Sequence, residues 1–75
     1  MHTVRITGWK PGLHTIELMR IIRSFTGWGL AETKESVERM LNGTPLDFEF
    51  EDAMTASRFE TAVTSLGCIC GDRTN

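Results

Sequence analysis

The sequence predicts a single α+β domain in the order β-α-α-β-α-β, with three helices packed on one face of a small three-stranded, mainly antiparallel sheet. Three observations predict it. Leu46-Asp47-Phe48-Glu49-Phe50-Glu51 alternates strictly between apolar and acidic residues, as a half-buried strand does. Three longer segments carry apolar residues at helical spacing. Glycine and proline clusters separate these segments at short intervals.

Each element follows in order. Thr3 to Thr7 reads as a strand with Val4 and Ile6 on one side and Arg5 and Thr7 on the other. Gly8-Trp9-Lys10-Pro11-Gly12 breaks that pattern. The spacing predicts a helix from Leu13 to Phe25, with a core stripe of Leu18, Ile21, Ile22 and Phe25. After Thr26-Gly27-Trp28-Gly29, a second helix runs from Leu30 to Leu41, with a stripe of Leu30, Thr33, Val37, Met40 and Leu41. Glu35 and Arg39 form a favourable i, i+4 pair on its outer side, and Asn42-Gly43 supplies its stop. Pro45 introduces the alternating strand. Asp52 is placed to cap a third helix reaching Leu66, with Ala56, Phe59, Val63 and Leu66 inward and Gly67 just past its end. Cys68-Ile69-Cys70 is a short last strand, and Asp72-Arg73-Thr74-Asn75 reads as a frayed tail.

A chain of 75 residues suffices for one domain, 1–75, and no more. No apolar run approaches the length of a membrane span, and no signal-peptide core follows Met1, so a cytoplasmic protein is expected. The net charge of −2 gives no global basic field, so direct nucleic-acid binding is not expected. Cys68 and Cys70, two residues apart, are poorly placed to bridge each other and by themselves fall short of a structural zinc site, and the spacing of His2 and His14, which could complete one, fits no standard pattern. They are expected to be buried, reduced and unreactive. No nucleophile-elbow, phosphate-loop or paired-carboxylate motif is present, so neither an enzyme nor a cofactor is expected. Asn42-Gly43-Thr44 matches a glycosylation sequon, with nothing to indicate secretion. Asp47, Glu49 and Glu51 read as a solvated outer sheet face, and Trp9 and Trp28 as partly buried packing rather than base-stacking platforms.

One helix face does not belong to the core. Ile16, Met19, Arg20 and Arg23 project away from the Leu18–Ile22–Phe25 stripe. A solvated face is mostly polar; this one mixes large apolar residues with arginines, the composition of an interaction surface. Lys34, early in the second helix, extends the same basic and apolar patch.

The run from Ile22 to Glu38 resembles the signature of the ribosomal stalk protein L-seven/L-twelve, whose C-terminal domain reads V-R-x-x-T-G-L-G-L-K-E-A-K-x-x-V-E here. Arg23, Thr26, Gly27, Gly29, Leu30, Glu32, Lys34, Val37 and Glu38 match by identity and without a gap. The resemblance is strong from Leu13 to Glu38 and holds by pattern through Leu66-Gly67. It implies the same element order and a protein-binding module that recruits translational GTPases through its first two helices. The family's contact residues correspond to Ile16, Met19, Arg20, Arg23, Leu30, Glu32 and Lys34. The chain departs from the family at Thr15, where lysine is usual, and at Glu17, Trp28 and Thr33. The family's N-terminal dimerisation domain and hinge have no counterpart in this sequence, so entry into the stalk by the usual route is not expected. An alternative reading keeps the fold for a free-standing phage or host regulator or decoy acting on a different protein. A protease adaptor of similar topology is a third reading, but its motif is not seen.

Overall fold

A computed structural model describes residues 1–71. The elements are β1 (His2–Trp9), α1 (Thr15–Thr26), α2 (Leu30–Leu41), β2 (Leu46–Phe50), α3 (Ala53–Ser65) and β3 (Cys68–Cys70). The sheet order is β2-β1-β3, and both pairings are antiparallel. The first strand is therefore the central one. Three helices cover one face of this α+β sheet: α3 packs on all three strands, α2 on β1, and α1 on α2 and α3. The tail from Asp72 to Asn75 lies outside the described residues.

The register explains the core. Val4 lies opposite Phe48 and Ile6 opposite Leu46, so side chains of both strands meet on the helix-covered face. Val4, Ile6, Phe48 and Phe50 are buried there with Leu18 and Ile22 of α1, Val37 and Met40 of α2, and Ala56, Phe59 and Val63 of α3. Phe59 is fully buried and sits at the centre of an aromatic cluster. Its ring centroid lies 4.8 Å from Phe48, 5.1 Å from Phe50 and 5.2 Å from Phe25. Asp52 caps α3 by accepting from the Thr55 backbone N–H at 2.8 Å, and its carboxyl is held below the usual range mainly by the Thr55 hydroxyl and N–H.

Two boundaries differ by two residues from the sequence reading, and others by one. β1 does not end at Thr7 but continues through Gly8 and Trp9, which pair with Ile69 and Cys68 across a register shift after Ile6. An irregularity of this kind lets an edge partner extend a strand past a glycine that looks like a stop. α1 starts at Thr15, not Leu13, because the preceding segment is tied to the α3–β3 turn. His14 N–H donates to Leu66 O at 3.2 Å, and Lys10 N–H donates to Gly67 O at 2.8 Å. Gly67 has φ +114, and a Cβ there would come within 3.3 Å of the Leu13 backbone, so this junction requires glycine.

Candidate protein-binding face

The connection between α1 and α2 is braced from inside. Gly27 adopts a left-handed conformation at the end of α1 and donates its N–H to Arg23 O at 2.8 Å. The Thr26 hydroxyl donates to Ile22 O at 2.6 Å and accepts from Trp28 N–H at 3.2 Å. Trp28 then turns inward over Phe48, with ring centroids 5.3 Å apart. The two helices are thus joined by a short turn pinned to the core, and α2 packs back on α1.

On the outside of this pair, Ile16, Arg20 and Arg23 are exposed at i, i+4 and i+7 of α1. Leu30 and Lys34 are exposed at i, i+4 of α2, and Glu32 is exposed in its first turn. Arg23 reaches across the junction, its Nε donating to Trp28 O at 3.4 Å. That contact places the guanidinium beside the turn, two residues before Leu30. Among the described residues neither Arg23 nor Lys34 makes an ion pair, whereas Arg20 Nη1 lies 3.3 Å from Glu17 Oε1. The apolar part of the surface is substantial, with Ile16 65% and Leu30 58% exposed.

Two residues of the sequence-derived set sit differently. Met19 is half-buried and packs against the core. It lies one turn before Ile22, at the border of the buried stripe, and its long flexible side chain can reach inward. Leu30 is not part of the core stripe of α2; as the first helical residue it projects past the core, and Trp28 covers Phe48 instead. The brace by Thr26 was missed altogether. A threonine near a helix end, four residues after a core isoleucine, is the available signal, because its hydroxyl can bond back to the i−4 carbonyl.

No family model, curated protein or solved structure matches this chain.

Other groups contribute little to the face. Arg5 and Asp47 pair directly across the strands on the outer sheet face, with Nε–Oδ1 at 2.7 Å and Nη2–Oδ2 at 3.1 Å. The hydrogen bond from Arg5 holds the Asp47 carboxyl below the usual range. Trp9 is more exposed than expected, at 43%, although its backbone pairs with Cys68 of β3. No pocket forms, and no three of the His, Cys, Asp and Glu side chains gather as a metal-binding group, among the described residues. No helix among them is long and apolar enough to cross a membrane.

Cys68 is buried and Cys70 half-buried, and neither is in a disulfide. Burial, with Cys70 adding a smaller effect, pushes the Cys68 thiol up to about 11. Cys68 in the folded protein is therefore expected to react slowly with a thiol reagent at neutral pH. The same shift sets an alkaline limit. The unfolded thiol ionises near 9.0 and the folded one near 11, so this contribution is intact below 9.0 and lost as pH rises to about 11. Rapid modification of Cys68 without unfolding, followed by peptide mapping, would contradict this.

Proposed function

We propose that the exposed outer side of α1 and α2 docks a protein partner, and that the partner is a translational GTPase or a close relative. The observation that supports this is that Ile16, Arg20 and Arg23 of α1 and Leu30 and Lys34 of α2 are all exposed, while Arg23 donates to Trp28 O in the braced turn between the two helices. Two exposed aliphatic side chains beside three cations form a surface that buries apolar area while its arginines seek carboxylates. The GTPase class comes from the signature between Ile22 and Glu38, which the resemblance to the stalk C-terminal domain supplies. Its first-two-helix docking mode agrees with the face described above. The ion pair of Arg20 with Glu17, a residue that departs from the family pattern, favours a second reading. In that reading the module binds a different protein as a regulator or decoy.

The test is direct binding of the purified chain to purified translational GTPases, beside a pull-down with tagged chain read by mass spectrometry. Saturable binding to a GTPase supports the first reading. Absence of GTPase binding, with specific retention of another protein through the same face, establishes the second.

A further inference from the structure

We infer that Asn42 is a spontaneous deamidation site whose reaction is gated by the C-terminal turn of α2. Asn42 is exposed and is followed by Gly43, which has no side chain to shield its backbone nitrogen. The reaction needs only water. The Gly43 nitrogen gives up its proton and attacks Asn42 Cγ, forming a C–N bond. The side-chain nitrogen takes up a proton and leaves as ammonia, giving a five-membered succinimide. Water then opens either carbonyl of that ring, leaving an aspartyl or an isoaspartyl linkage.

The fold holds the pair away from this geometry. Asn42 has φ −90 and ψ 6. Ring closure requires the Gly43 nitrogen to eclipse Asn42 Cβ, a rotation of ψ by about 120°. That rotation breaks two backbone bonds that close the helix end: Gly43 N–H to Met40 O at 3.0 Å and Thr44 N–H to Arg39 O at 3.0 Å. Asn42 N–H is itself shared between Glu38 O and Arg39 O, each at 3.1 Å. Met40, fully buried, anchors the turn to the core. Attack therefore requires local opening of the last turn of α2.

Neither product restores the original helix end. An isoaspartyl linkage adds a backbone carbon where these bonds must register. An aspartyl product places a carboxylate beside the negative end of the helix dipole. The modified chain is consequently less stable than the original.

The experiment follows deamidation of the full chain at mildly alkaline pH, by peptide mapping for the mass rise of an amide-to-acid change. Native protein, protein in denaturant and Met40→Ala are compared, with Asn42→Gln marking the site. The native chain is expected to react at least about tenfold more slowly than the denatured chain. Met40→Ala is expected to react faster than the native chain, up to the denatured rate if it unfolds. Equal rates for native and denatured chains would overturn the gate. No reaction at Asn42 in denaturant would overturn the site.

Discussion

Replacing Phe59 by alanine is expected to lower stability by about 3–5 kcal/mol. Its ring is fully buried and contacts Phe25, Phe48 and Phe50, so truncation opens a cavity shared by two helices and the second strand. A small domain has little reserve, since total stability is about 5–15 kcal/mol. The melting midpoint should fall by at least about 12 °C, at roughly 4–8 °C per kcal/mol for a domain of this size. Ile16→Ala, on the exposed side of α1, is the comparison and should stay within about 0.5 kcal/mol. Denaturant unfolding of both variants measures the difference. A loss below about 1 kcal/mol for Phe59→Ala would mean that the cluster is not the centre of the core.

Arg23→Glu is expected to weaken partner binding by about 2 kcal/mol or more, roughly thirtyfold in Kd. Arg23 makes no ion pair among the described residues, so its terminal nitrogens are available to a partner carboxylate. Its Nε contact with Trp28 O holds the fork in one orientation, which reduces the ordering cost of binding. Reversing the charge then sets like charges against each other. The fold should survive, because the side chain is exposed. Arg58→Glu, at an exposed position of α3, is the control and should bind as the unmodified chain does. Arg23→Lys keeps the charge but loses the fork, and should fall between the two. Calorimetric titration with the partner decides it. Loss of binding in Arg58→Glu alone would move the interface to α3.

Much of the fold was legible because local pattern and tertiary role agree. The alternation from Leu46 to Glu51 places β2 to within one residue of its observed end at Phe50, and the spacing of Ala56, Phe59 and Val63 gives α3 its buried side. What was not legible depends on distant partners. Gly8 and Trp9 look like a turn until β3 pairs with them. Leu30 fits the helical stripe of α2, yet its place at the helix start and the inward turn of Trp28 leave it outside. For the face, Ile16, Arg20 and Arg23 could be grouped from spacing alone. The Arg20–Glu17 pair and the Arg23–Trp28 contact depend on rotamers and on the turn, which periodicity does not encode.

The central position of β1 has a consequence for the order in which this protein can be made. Of these three strands, the earliest in the sequence is the one that both others need. It waits for Leu46–Phe50 on one side and Cys68–Cys70 on the other, across the whole helical section of the chain. α1 and α2 are neighbours in sequence and can pair early, but no sheet exists to receive them. Folding is thus deferred until almost all of the described chain has been synthesised, and the barrier is dominated by closing long loops. Until then Val4 and Ile6 sit on an unpaired strand. During this interval the nascent chain is most exposed to aggregation, and a chaperone would be of most use.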